Sequence, residues 1–248
     1  RGFSPRFRDM DAGELLFIRA EGRPGDHQIR AGLLKAPWGD TEATIKGGLS
    51  DGIWSGHLSS EILGGSLDVS GKVAAKGEKS WSVEVSAREL DPQMAVPSLS
   101  GTLRGRIAAA GSAGEDGFEA SLDIREVTGS LMERPLSAAG KAEWAPSRLT
   151  VRDLQLQWGE AELDADLTAG DILAGSWEMR VPDLGELIPG FEGRMTSTGR
   201  MKGTFSRPEV AASVDASGIA GTGWKVNSLS LDVTTTEQYS WEATAAAA

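Results

Sequence analysis

Apolar and polar residues alternate with a period of two along almost the whole of this chain, and that pattern leaves few folds open. Trp81, Val83, Val85 and Ala87 alternate with Ser82, Glu84, Ser86 and Arg88. Leu103, Gly105, Ile107 and Ala109 alternate with Thr102, Arg104, Arg106 and Ala108; Phe118, Ala120, Leu122 and Ile124 alternate with Glu119, Ser121, Asp123 and Arg125. Successive side chains of a strand point to opposite faces, so these segments read as strands with one face out of water. No comparable stretch has the i, i+3, i+4, i+7 spacing of an amphipathic helix, and the weak candidates Leu90–Val96 and Leu184–Ile188 are one turn each. The chain is all-β.

Turn residues punctuate the pattern at Lys76-Gly-Glu-Lys79, Gly114-Glu-Asp-Gly117, Ala169-Gly-Asp171 and Ser206-Arg-Pro208. Such short connections predict antiparallel hairpins in a meander. About fourteen strands of roughly 7–11 residues are expected on this spacing. The phase slips between Val151 and Leu154, and again between Val226 and Leu229. Each slip is either a β-bulge or a tight turn between two strands.

The second half of the chain echoes the first. Pro97, Gly101, Gly111, Ala120-Ser-Leu-Asp123 and Gly129 recur 92 residues later as Pro189, Gly193, Gly203, Ala212-Ser-Val-Asp215 and Gly221. Trp81-Ser-Val-Glu-Val recurs as Trp177-Glu-Met-Arg-Val at an offset of 96. The copies fall at about residues 66–158 and 159–240, and the apolar phase runs through both. Two lengths of one continuous sheet, extended by repetition, are therefore expected over residues 1–248. Both ends, Arg1-Gly-Phe-Ser and Ala245-Ala-Ala-Ala248, read as cuts through a longer chain.

Chemistry finds little to work with. There is no cysteine, which removes disulfides, thiolate nucleophiles and zinc–thiolate sites together. His27 and His57 have no metal-ligand spacing, and the acidic Glu115-Asp116 and Asp164-x-Asp166 lack the spacing of a calcium loop. Nucleophile elbows, phosphate loops and dinucleotide fingerprints do not occur. No catalytic residue, metal or cofactor is expected, and the chain reads as a non-enzyme. A net charge of −11 argues against nucleic acid, whose phosphates call for clustered Lys and Arg. No apolar run approaches the roughly 18 residues of a membrane span.

The apolar face itself is unusual, because Gly105, Ala109, Ala120, Ala138, Gly140, Ala142, Ala165, Ala212 and Ala216 sit where a packed core would place larger side chains. Such a face either packs a close second layer or leaves room for an apolar ligand. At this point a resemblance enters. Trp81-x-Val-x-Val, Leu90-Asp-Pro, Pro97-x-Leu-x-Gly-x-Leu-x-Gly and Val127-Thr-Gly-Ser-Leu-Met-Glu-Arg-Pro-Leu-Ser-Ala-Ala-Gly140 resemble the TamB family. Trp54-Ser-Gly-His-Leu, Asp183-Leu-Gly-Glu-Leu-Ile-Pro-Gly-Phe and Gly203-Thr-Phe-Ser-Arg-Pro-Glu-Val continue it over about residues 30–235.

That resemblance implies membership of the AsmA-like, bridge-like lipid transfer group of Gram-negative envelopes. Its fold would be an elongated, curled antiparallel β-sheet, a β-taco or open groove with an apolar concave face. Its place would be the periplasm, as part of an inner-membrane-anchored protein that works with an Omp85-type outer-membrane partner, TamA-like or BamA-like, through regions outside this segment. Phospholipid acyl chains would lie along Leu103, Ile107, Phe118, Leu122, Ile124, Leu163, Leu167, Met195, Met201 and Val214. Two other readings stay open: a scaffold or chaperone for autotransporters and other outer-membrane β-barrels, and a secreted structural repeat protein.

Overall fold

The structure, a computed structural model, describes residues 6–7, 10–11, 14–23, 26–34, 41–74, 77, 79–114, 117–235 and 241–247. The acidic pair Glu115-Asp116 and the turn residues Lys76 and Glu78 lie outside the described residues. Two compact units follow one another, Arg1–Pro135 and Leu136–Ala248.

In the first unit, β1 (Arg6–Phe7) and β2 (Met10–Asp11) form a small antiparallel pair. Then come β3 (Glu14–Arg23), β4 (Asp26–Leu34), β5 (Thr41–Ser50), β6 (Ile53–Ile62), β7 (Gly65–Ala74), β8 (Lys79–Leu90), β9 (Gly101–Gly114) and β10 (Gly117–Leu131). Each of these pairs antiparallel with the next. The second unit follows the same plan with β11 (Arg134–Ala145), β12 (Arg148–Trp158), β13 (Ala161–Ala169), β14 (Leu173–Val181), β15 (Glu192–Thr204), β16 (Arg207–Gly221), β17 (Trp224–Thr235) and β18 (Trp241–Ala247). Strand order is chain order, and the first and last strands of a unit do not pair with each other. Each unit is all-β and antiparallel, as the alternation predicts, and among the described residues its strands do not close into a barrel.

Of β3 to β18, nine run 7–11 residues as expected and seven are longer. β9, β10 and β16 reach 14, 15 and 15 residues. Bulges carry two of these past a break in the pattern, since a strand that takes in one extra residue bends and continues: β10 and β16 each hold one. The slip between Val151 and Leu154 is such a bulge: the β12–β13 register shifts there, Asp153 takes φ +52°, and its amide donates to Asp166 Oδ1 at 2.9 Å. The slip between Val226 and Leu229 has a different origin. β17 stays in step with β16 (Ser217↔Ser228, Ile219↔Val226), and the extra residue belongs to β16, where Gly218 takes φ +64° and the register to β15 shifts. A third bulge, unforeseen, places Arg125 of β10 between Ile124 and Glu126.

Both one-turn candidates exist as capped inserts between strands. Pro92–Met94 forms a 3₁₀ turn whose Asp91 carboxylate accepts the Gln93 N–H at 2.9 Å. α1 (Leu184–Leu187) is capped in the same way by Asp183, which accepts the Gly185 N–H at 2.8 Å. Asp91 and Asp183 are 92 residues apart, so the echo in sequence recurs as strand, capped turn, long strand. Among the described residues no helix is long and apolar enough to cross a membrane.

Little of the apolar surface is covered. Among the described residues the buried apolar side chains are Val181, Leu184 and Ala216, exposed by 1%, 7% and 8%. Register joins two of them through one residue, Val181 to Met195 and Met195 to Ala216, where α1 leaves the sheet.

Candidate functional site: an apolar face in each unit

Cross-strand partners share a face, so the register converts alternation into surfaces. In the first unit one row runs Leu58, Val69, Val85, Ile107, Ile124 from β6 to β10. In the second, one row runs Leu156, Leu163, Met179, Ser197, Val214, Leu231 from β12 to β17.

The residues proposed from sequence as a groove lining fall on these faces. Leu103, Ile107, Phe118, Leu122 and Ile124 share one face of the first unit: Leu122 stands opposite Ala109, and Phe118 opposite Ala113. Leu163, Leu167, Met195, Met201 and Val214 share one face of the second: Gly175 joins Leu167 to Met201, and Met195 stands opposite Ala216. Phe118 and Leu122 remain 48% and 37% exposed, so no second layer covers them in their own unit. The alternation of Met195, Ser197, Gly199, Met201 and Gly203 on this face would extend to Phe205, but Phe205 occupies the β15–β16 turn and is 70% exposed.

Several further glycines on these faces are covered by tryptophan. A Cβ added to Gly111 would meet the Trp81 indole at 2.8 Å, and one added to Gly221 would meet the Trp224 indole at the same distance. The Trp177 ring occupies the space above Gly199 in the same way, and Trp54 covers both Gly47 and Gly56. These indoles lie across glycines of the same or the adjacent strand. Sequence reasoning missed this, although Trp81 facing Gly111 and Trp177 facing Gly199 follow from register alone. Ser197, buried on the apolar face of the second unit, is reconciled with it by the Trp177 Nε1–H, which donates to Ser197 Oγ at 3.1 Å.

The opposite faces are polar and laced with cross-strand ion pairs: Arg180–Glu162 at 3.2 Å, Lys202–Glu209 at 3.0 Å and Arg106–Glu126 at 3.6 Å. Arg125, turned by its bulge, reaches over β9 to Glu84 at 2.9 Å. All are exposed, and pairs of this kind contribute about 0–1 kcal/mol each. Depressions of about 1030 Å³ (Lys46, His57, Lys72, Glu84, Asp123) and 660 Å³ (Arg180, Arg194, Asp215) lie on these polar faces, between long side chains over small ones.

His57 sits on the polar face of β6. Its Nε2 lies 2.9 Å from Ser59 Oγ and 3.5 Å from Asp68 Oδ1, and Ser59 donates to Asp68 at 2.9 Å. A serine nucleophile gives its proton to a histidine that a carboxylate orients from the far ring nitrogen. Here the serine proton goes to the carboxylate, so the trio is a surface hydrogen-bond cluster. The side chain of His27 lies outside the described residues. Asp166 holds the bulge amide, and among the described residues no three acidic or histidine side chains group to hold a metal ion.

Comparison with known proteins adds the following. A family model described as "TamB, N-terminal domain" matches residues 55–247, more than three quarters of the chain. The "Translocation and assembly module subunit TamB" of Haemophilus influenzae is 25% identical over 220 residues, 88% of this chain. The chain spans only 17% of the length of that relative. No solved structure matches.

Proposed function

We propose, since the chain belongs to the TamB family through its N-terminal domain, that its apolar faces carry phospholipid acyl chains between the inner and outer membranes. The observation that carries the reading is a one-sided apolar surface that its own unit leaves uncovered, with Leu122 and Phe118 open. Burial of each CH₂ is worth about 0.8 kcal/mol, so a continuous apolar row holds an acyl chain without any specific polar contact. The polar faces keep the segment in water. The chain would work in the periplasm, within a protein anchored in the inner membrane, and the repeat would lengthen the apolar face. An Omp85-type outer-membrane protein would meet it through other regions.

A photo-crosslinking residue at Leu122 or Met201 of the full-length protein is expected to capture phospholipid in cells. Leu122→Arg is expected to abolish transfer at unchanged protein level, while Ser121→Arg, on the polar face, leaves it intact. Absence of lipid adducts from both sites in folded protein would sink the conduit reading. The name of the relative, a subunit of a translocation and assembly module, favours a second reading, in which the sheet templates outer-membrane β-barrel clients. Adducts to nascent outer-membrane proteins in place of lipid would select it.

A further inference from the structure

Each unit places two arginines at the same seam. β8 and β9 flank the first capped insert, residues 91–100, and β14 and β15 flank the second, residues 182–191. Arg88 of β8 and Arg180 of β14 stand 92 residues apart. On the strand after the insert the arginine changes position: Thr102 and Arg104 of β9 correspond to Arg194 and Thr196 of β15. Arginine and threonine have traded places, yet one arginine is kept on each side of the seam.

Register brings the members of each pair together on a polar face. In the first unit the shift between Ala87 and Leu90 sets Arg88 and Glu89 against the single residue Arg104, and Glu89 takes φ +53°. In the second, Arg180 stands opposite Thr196, and Arg194 lies diagonally, two residues along. The later arginine of each pair is aimed in the same way. Arg104 Nε donates to Thr128 Oγ1 at 2.9 Å, and Arg194 Nε donates to Ser217 Oγ at 2.7 Å, in both cases to the residue directly across on the next strand. That bond takes the Nε–H and leaves the two Nη groups, the forked end of the guanidinium, outside it.

A depression lies over each pair, of about 720 Å³ in the first unit and 660 Å³ in the second. Ser66, Thr102 and Ser130 add hydroxyls to the first; Thr196, Ser217 and Ser228 add them to the second. Carboxylates complete both. Glu61 and Glu89 line the first, and Asp215 lines the second, where Glu162 also accepts from Arg180 at 3.2 Å. The inserts tie these strand ends to a neighbouring hairpin: the Asp91 N–H donates to Leu63 O at 2.7 Å, and Glu186 Oε2 accepts the Glu160 N–H at 3.1 Å.

We infer that each depression is a binding site for a zwitterionic headgroup, a phosphate that carries its own ammonium group. Like charges set side by side on neighbouring strands are destabilising, and both units place them at the same seam nonetheless. A phosphate between the two guanidinium groups removes that repulsion and accepts paired, charge-assisted hydrogen bonds from the forks. The carboxylates decide which phosphate binds. With two guanidinium groups and two carboxylates, each site is close to neutral, so a bare phosphate dianion gains little net attraction. A phosphate with an ammonium group answers both signs. The site stands without the conduit reading; naming its occupant as phosphatidylethanolamine rests on that reading.

Calorimetric titration of the full-length protein with phosphorylethanolamine tests the site. Arg88→Gln/Arg104→Gln and Arg180→Gln/Arg194→Gln are each expected to lower the number of bound ligands by one. Inorganic phosphate, which leaves the carboxylates without an ammonium partner, is expected to bind at least about tenfold more weakly. Unchanged stoichiometry in both double variants overturns the inference. So does inorganic phosphate that binds as tightly as phosphorylethanolamine, the mark of an unselective basic patch. Should the glutamine forms fail to fold, Thr128→Val and Ser217→Val decide: each loosens one Nε and is expected to weaken its site about threefold, and unaltered affinity in both overturns the site.

Dihexanoyl phosphatidylethanolamine separates this site from the conduit. Equal binding of that lipid to the unaltered and glutamine proteins means that the apolar faces alone hold it, which overturns the headgroup site and leaves the conduit standing. Phosphorylethanolamine held through the arginines, with no lipid adduct at Leu122 or Met201, removes the conduit and keeps the site.

Discussion

Tryptophan over glycine is the residue-scale device that most distinguishes these sheets from an ordinary core. A glycine in a strand weakens it, and an indole laid across the gap restores contact without a second layer. Gly199→Ala would drive a methyl group into the Trp177 ring and is expected to cost about 1–3 kcal/mol in urea unfolding. Gly114→Ala has nothing within 4 Å and is expected to be neutral, which makes it the control. Had the glycines simply left room for a ligand, the two substitutions would cost the same. The sequence does not reveal the cover over these glycines, because composition records the missing side chain and not the neighbour that fills the space. Phe205 was misplaced for a related reason. Alternation runs on past Gly203 to Phe205, but the turn into β16 is Phe205-Ser206, one residue ahead of the Ser206-Arg-Pro208 that the turn residues mark, and Arg207 already opens the strand.

Among the elements, the hairpins show where the sequence works against its backbone. Met132 and Glu133 take φ +53° and +64° in the turn between β10 and β11, a conformation that Asn and Gly fill at little cost. Left-handed backbone costs an ordinary residue about 1–2 kcal/mol, so Glu133→Gly is expected to stabilise the chain by about 1 kcal/mol, seen as a raised melting temperature. A fall in stability would mean that the Glu133 side chain has a role its turn position does not predict. The Asp51-Gly52 turn, with φ +51° and +79°, has the residues this backbone favours, and Met132-Glu133 does not. Bulges divide along similar lines. Val151-Arg-Asp-Leu154 announces its extra residue by placing two polar residues between apolar ones, and so does Ile124-Arg-Glu-Val127, which went unread. The slip at Asn227-Ser228 was visible, but its cause lies in Gly218 on the next strand, and a single strand cannot report its neighbour's geometry. The inserts were legible as one-turn segments; their fastening was not, because Glu186 and Glu160 meet across 26 residues of chain.

For the whole molecule, exposure replaces the usual core as the dominant fact. A compact domain hides most of its apolar side chains, and its denaturant slope rises with the surface released on unfolding. Here the apolar faces are open before unfolding begins, so the urea slope is expected to fall below about 2 kcal/mol/M, in the lower part of the range for small proteins despite 248 residues. A slope above 3 would mean that the apolar faces are covered in solution. Alternation made the one-sidedness plain, and the candidate lining residues fell on shared faces because register preserves what a period of two encodes. The chain-order pairing has a further consequence. Among the described residues every strand from β4 onward within a unit pairs with the one made just before it, so loop closure stays short. A chain with this connectivity can acquire structure in the order of its synthesis, each new hairpin docking on a template already in place and none waiting for residues still to come.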